Sequence, residues 1–412
     1  MAGRETAWQE KPEFLQYAFH NMGMRGTKQT KAGFPLLLMA VGILVGCGGG
    51  GSSSRPSPAR VIATVPVGMS PGAVDVNPAT NRIYVANQND QPPTVSVIDG
   101  ATNSVLATVP VGTYPCKIAV NPQTNKVYVT NRNGQSVTVI DGATNDATAV
   151  SVGDEPCGLA VNAATNKIYV ANSASGTVTI IDGTTNSTTT QTVGLGPKDI
   201  AVNQVTNKIY VAGGSGVEGN VTVLDGATND TTNISFGFGN VGRPAVDSIT
   251  NKVCVLFFSY HVSGVSSIDG STLAVTNVYA SPDPSDPLSG SIAINANTNK
   301  IYAPHQSGSV SIVDGATQAV ATVQAGQGPN AVVVDPAINQ TYLPSGTSSG
   351  TVTVIDGVSN STTTLAVGVH PTSAAANSVT HRVYITNYCG NDANCSTGGP
   401  VQGTVSVIEA AH

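Results

Sequence analysis

One phrase of turn and strand residues recurs eight times in this chain, about every 43 residues. Its clearest copy is Asn121-Pro-Gln-Thr-Asn125-Lys-Val-Tyr128-Val-Thr-Asn131, followed by Ser136-Val-Thr-Val-Ile140-Asp141-Gly142. A repeat of this length makes each copy one supersecondary unit, which buries its apolar face only by stacking on its neighbours. The copies are marked by Asn81, Asn125, Asn166, Asn207, Asn251, Asn299 and Asn339, with His381 in the eighth. A second mark is the acidic residue of the Val/Ile-Asp-Gly phrase, at Asp99, Asp141, Asp182, Asp225, Asp269, Asp314 and Asp356, with Glu409 last.

Between these marks the chain reads as short strands rich in β-branched and aromatic residues, such as Ile118–Val120, Val127–Val129 and Val137–Ile140. A fourth strand follows each Asp-Gly turn, as in Ser104–Val111. Beyond residue 60 no segment carries a 3.6-residue periodicity, which argues against a helical solenoid. Repeated four-stranded units predict an all-β single β-propeller of eight four-stranded blades, with seven as the fallback if the weak copy near 242–269 packs irregularly. The repeat region opens on a fourth-type strand, Val61–Val67, and closes on a third-type strand, Thr404–Ile408. The N-terminal strand is therefore expected to complete the last blade, which removes the open sheet edges.

Tyr128-Val-Thr-Asn131 matches the signature of YVTN-repeat β-propellers, and Tyr84-Val-Ala-Asn87, Tyr169-Val-Ala-Asn172 and Tyr384-Ile-Thr-Asn387 are close to it. Over about residues 60–409 the chain resembles that family, with Cys254 in place of the expected Tyr and Tyr342-Leu-Pro departing from the pattern. The resemblance implies the fold strongly and the function weakly, because similar propellers serve as bacterial and archaeal surface proteins, lactonase-like enzymes and parts of redox enzymes.

Residues 1–46 read as an N-terminal extension and lipoprotein signal peptide, 47–60 as a Gly/Ser-rich tether and 61–412 as the propeller. The apolar run Phe34–Gly46 has 13 residues, too few to span a bilayer as a helix. Arg25, Lys28 and Lys31 precede it as the basic flank of a secretory signal. Leu44-Val45-Gly46-Cys47 looks like a bacterial lipobox, which makes Cys47 the lipidation site and the membrane, through that lipid anchor, a partner. Gly48 after the Cys points to the outer membrane or cell surface. After Cys47 the chain has 13 Lys/Arg against 21 Asp/Glu, a net of about −8. Repulsion from phosphates then argues against nucleic acid as a partner.

The recurring residues read as structure. Asp-Gly is expected to supply the positive φ of a tight hairpin. The tyrosine series should pack between blades, and Asn77, Asn121, Asn162, Asn203 and Asn295 should bond their own turns. Function is sought where the repeat breaks, on loops of the face opposite these turns. The candidate ligand-binding face there comprises Tyr114, Cys116, Asp154, Glu155, Cys157, Lys198, Arg243, His261, His305 and His370.

Cys116 and Cys157 hold one position in adjacent repeats. A disulfide, a thiolate metal site completed by His370 or Glu155, and two unlinked thiols are all open readings. Cys389 and Cys395 are expected to staple their shared loop, and Cys254 to be a buried small hydrophobe. No zinc-protease helix, phosphate loop or haem-attachment motif occurs. The sequence therefore reads as a cell-envelope, lipid-anchored propeller acting as a non-catalytic binding or scaffold module for a protein or carbohydrate ligand, with no cofactor. The alternative is a lactonase-like hydrolase or lyase with a divalent metal at the central channel, served by His305 or His370 as base.

Overall fold

Each repeat begins with a four-residue turn whose last residue takes the left-handed conformation that Asn tolerates, with φ of 51–54° from Asn81 to Asn339 and 53° at His381. In the computed structural model described here, these turns join the first and second strands of eight four-stranded antiparallel sheets. The structure describes residues 58–411, except 195, 215–217, 259–262, 282–285, 289–290, 330, 349, 393–394 and 396–400. The signal segment, Cys47 and His261 lie outside the described residues.

The first strands are Pro71–Asn77, Pro115–Asn121, Pro156–Asn162, Asp199–Asn203, Asn240–Asp247, Ala293–Asn295, Val333–Asp335 and Pro371–Asn377. They open blades 1 to 8 in that order. The copy around 242–269 forms an ordinary fifth blade, so the count is eight. Closure is as expected: Arg60–Met69 pairs antiparallel with Gln402–Glu409, placing Val65 opposite Val405, and becomes the outer strand of blade 8.

The Asp-Gly turns are built differently from the expectation. No glycine of these turns has a positive φ; that role falls to the residue four beyond each Asp, such as Asn103, Asn145 and Asn186. The glycine is needed for space. A Cβ on Gly142 would stand 2.7 Å from the carbonyl oxygen of Asn125, which accepts the Gly142 N–H at 2.8 Å. The aspartate carboxylate shapes the turn by accepting backbone N–H bonds, as Asp141 Oδ1 does from Ala143 and Thr144. Those bonds hold the Asp141 carboxyl below its ordinary pKa.

Blades are joined by three repeated devices. Tyr84, Tyr128, Tyr169, Tyr210, Tyr302, Tyr342 and Tyr384 are all fully buried. Each packs toward the next blade, as Tyr128 does with Leu159 and Ile168. Burial pushes the Tyr128 and Tyr169 phenols up to about 12. The asparagine series reaches further than its own turn. While Asn77 Oδ1 accepts from Ala79 N, its amide donates to Asn125 Oδ1 of the next blade at 2.8 Å. The same bond joins Asn121 to Asn166, Asn162 to Asn207, Asn203 to Asn251, Asn295 to Asn339 and Asn377 to Asn81. Third, the cation that opens the second strand donates to the turn glycine of the following blade, as Arg82 does to Gly142 O at 2.9 Å and Lys126 to Gly183 O at 2.6 Å.

Candidate functional site

The first strands line a central channel, and alignment of the eight shows where it departs from uniformity. Two residues before the strand-ending Asn or Asp, seven blades carry Ala119, Ala160, Ala201, Ala245, Ala293, Val333 and Ala375; blade 1 carries Asp75. Four residues before it the set is Ala73, Gly158, Ser291, Ala331 and Ser373, broken by Lys117, Asp199 and Arg243. Small side chains keep the channel open, and a cavity of about 920 Å³ results. Its wall includes Asp75, Lys117, Arg243, His370 and Thr372.

Asp199 is the electrostatic centre. Although it is almost wholly buried, with a side chain only 8% exposed, two cations reach it. Lys117 Nζ lies 2.9 Å from Oδ2 and Arg243 Nε lies 3.1 Å from the same oxygen. Ile200 N donates to Oδ1 at 3.0 Å. Two cations and a backbone donor hold this carboxylate in place. Two cations thus face one carboxylate here, while Asp75, a second acid near Lys117, stands on the same channel wall.

Asp75 is placed by the same strands. Its Oδ1 accepts from Val76 N at 2.8 Å and its Oδ2 from Val120 N of blade 2 at 2.9 Å. Depth inside the channel wall outweighs those bonds and the nearby Lys117, so the carboxyl is pushed up to about 6. In an unfolded chain the group titrates near its ordinary 3.8. Folding therefore carries a penalty that is absent below about pH 4, grows as pH rises through 6, and reaches ~2–3 kcal/mol above it. Asp75→Asn should flatten the urea-unfolding free energy of the protein between pH 4 and 6.5 relative to wild type. Parallel pH profiles for the two proteins would refute this assignment.

The sequence-predicted residues divide among several places. Cys116, Arg243 and His370 line the channel cavity. Cys116 and Cys157 form a disulfide with Cα atoms 5.7 Å apart, which links the first strands of blades 2 and 3. The metal-thiolate and free-thiol readings are thereby set aside. Cys389 and Cys395 are also paired, and Cys254 is buried and free. Disulfides are characteristic of oxidising, extracytoplasmic compartments.

Tyr114, Asp154, Glu155 and Lys198 are exposed on the loops that lead into the first strands. Tyr114, Glu155 and His370 share a local geometry with Ser70. Each precedes a proline and takes a φ of 50–58°, and each carbonyl accepts from the facing second-to-third loop, as Tyr114 O does from Arg132 N at 3.0 Å. Glu155 is engaged by Arg132 and Ser173, and the Arg132 hydrogen bond is the first cause holding its carboxyl below the ordinary value.

His305, a candidate base, lies buried. It is 4% exposed, and its Nε2 lies 2.7 Å from Ser311 Oγ while Nδ1 faces Asp286. Asp286 also binds Ser307, so this cluster fastens a loop of blade 6. Among the described residues, no three His, Cys, Asp or Glu side chains converge in a way that would hold a metal.

Asp75, Lys117 and Asp199 escaped the sequence reading, which searched loops for broken repeats. They sit inside strands whose alternation looks ordinary. The signal that reveals them is the register of the eight first strands against one another.

The fold and this wall define the class: an eight-bladed β-propeller with a charge-bearing central channel. Its structure is similar to Kuenenia stuttgartiensis hydrazine synthase, with a TM-score of 0.58 and 16% identity over 88% of this chain and 99% of that chain. At that identity the likeness is one of fold. No family model matches the sequence, and no curated protein matches it.

Proposed function

We propose that this chain is a lipid-anchored propeller of the cell envelope that binds, without catalysis, a small carboxylate-bearing saccharide at its channel. The observation that carries the reading is the convergence of Lys117 and Arg243 on the single carboxylate of Asp199. A ligand carboxylate would meet the half-exposed Arg243 guanidinium, and charge-assisted bonds of this kind are the strong ones. Hydroxyls of Thr372, Ser373 and Ser291 and the amide of Gln88 on the same wall suit sugar hydroxyls. The 920 Å³ cavity is within the range of ligand sites. Two disulfides and the YVTN-like repeat support an extracytoplasmic setting. The lipobox at Cys47 supports anchoring there.

Two arms test the proposal. Glucuronate, but not glucose, should raise the thermal midpoint of the protein saturably, and Arg243→Gln should weaken that binding about tenfold, a loss of ~1.4 kcal/mol. Absence of any glucuronate effect, or an equal effect of glucose, rejects the ligand class. Separately, Cys47→Ser should move the protein from the membrane to the soluble fraction, and unchanged fractionation rejects the anchor.

A further inference from the structure

The seam between blades 5 and 6 lacks two of the three devices that join other blades. Where seven blades place a tyrosine, blade 5 has Cys254, 2% exposed. Where six blades end the first strand in Asn, blade 5 has Asp247, which has no amide to donate. The Asp247 carboxylate accepts from Ile249 N, Thr250 N and Thr250 Oγ1 of its own turn and forms no bond to Asn299 across the seam. The other strand-ending aspartate, Asp335, recovers a cross-blade partner in His381 at 2.9 Å. Only the cation device survives at this seam, with Lys252 donating to Gly315 O at 3.2 Å.

A cavity of about 320 Å³ lies at this place and shares no lining residue with the channel cavity. Val265, Ile301 and Val313 form an apolar patch around Cys254, while Lys252, Ser267, Asp269 and Asp314 bring polar and charged groups to the same lining. Asp247 and Asn299 supply polar atoms, while exposed Thr272 and Gln318 form part of its lining and open a route to solvent. The volume is about ten times that of one liquid water, room enough for one six-membered ring. It also reaches the lower end of the range for small-molecule sites.

We infer that the seam between blades 5 and 6 is a binding site for a single-ring aromatic compound carrying a hydrogen-bond donor, of the size and chemistry of a phenol. The ring takes the space that a tyrosine ring fills at the other seams, against Val265, Ile301 and Val313. The donor faces the Asp247 carboxylate, whose lone pairs exceed the bonds made by its own turn. The thiol of Cys254, hydrogen-bonded with Ser267, forms part of the wall. Burial pushes it up to about 12, so it stays a protonated thiol. This site is independent of the channel and of the saccharide reading.

The probe is p-cresol, titrated into the whole protein and followed by ligand-observed NMR and thermal unfolding. Wild type should bind it saturably and gain thermal stability. Cys254→Ala should keep the site, whereas Cys254→Phe and Cys254→Tyr fill it and should each weaken binding at least tenfold. Asp247→Asn should reduce the preference for p-cresol over toluene. If Cys254→Tyr does not fold, the Phe and Ala variants decide the matter alone. No saturable binding by wild type, or undiminished binding in Cys254→Phe, overturns the inference. Loss of binding in Arg243→Gln would place the probe in the channel and overturn it as well.

Discussion

Removal of Arg60–Met69 is expected to abolish the folded propeller, not to leave a slightly shorter one. This segment supplies the outer strand of blade 8 from the opposite end of the sequence. Without it, Val65 and Val67 are lost from the core, and Val405, Val407 and Ile408, all fully buried, lose their cover. Burial of each such side chain contributes about 1.5–3 kcal/mol. Two or three of them therefore approach the whole stability of a typical domain, about 5–15 kcal/mol. The cost of an unpaired edge along Gln402–Glu409 comes on top, and it exposes a template for association between molecules. The exposed Arg60–Glu409 ion pair, 2.9 Å long, contributes little to the difference. Far-UV circular dichroism and size-exclusion chromatography should show a chain beginning at residue 70 to be unfolded or aggregated, while one beginning at residue 58 is monomeric and cooperative. A monomeric truncated protein with a thermal midpoint within a few degrees of the longer one would show that closure is dispensable.

Tyr169→Ala is expected to cost about 3–5 kcal/mol, the range for emptying a large aromatic site in a close-packed core. Tyr169 packs with Ile200, Ile209 and Val211 of the next blade, so the damage falls on the contact between two sheets. Cys254→Ala, at the corresponding position of blade 5, should cost only about 1 kcal/mol, the worth of one small buried group. Urea unfolding at equilibrium measures both. The contrast tests more than size, because it asks whether seams are energetically unequal around the ring. Equal losses in the two variants would mean that the blade 5 seam is packed as tightly as the rest.

The fold was legible in the sequence because the same physical problem is solved eight times. Asn at a left-handed turn, alternating β-branched strands and one buried tyrosine per blade recur with the period of the unit. The unpaired strands at the two termini made closure readable as well. The turn glycines were found for the wrong reason. Their role in letting the Asn carbonyl approach is a contact between two turns at one end of the paired second and third strands, and it leaves no trace in local propensity. The asparagine series likewise showed its own Asx turn but not the amide that crosses to the next blade.

The candidate site was only partly legible. Arg243, Cys116 and His370 were found as breaks in the pattern and do reach the channel. Lys117 and Asp199 were not, although 82 positions separate them and the fold brings them to 2.9 Å. His305, also named, is buried against Ser311 and Asp286 and is not among the residues lining the channel cavity.

By itself the sequence determined the architecture: eight stacked units, their order, and the strand that closes them, because these follow from periodicity and from the need to bury one face of every sheet. Tertiary structure alone decided which exceptions meet. Lys117, Asp199 and Arg243 converge because rotation about the propeller axis brings equivalent positions of different blades to one wall. Cys254 and Asp247 matter because a missing ring and a missing amide fall on the same seam. Such coincidences depend on distances between blades, which no single repeat encodes.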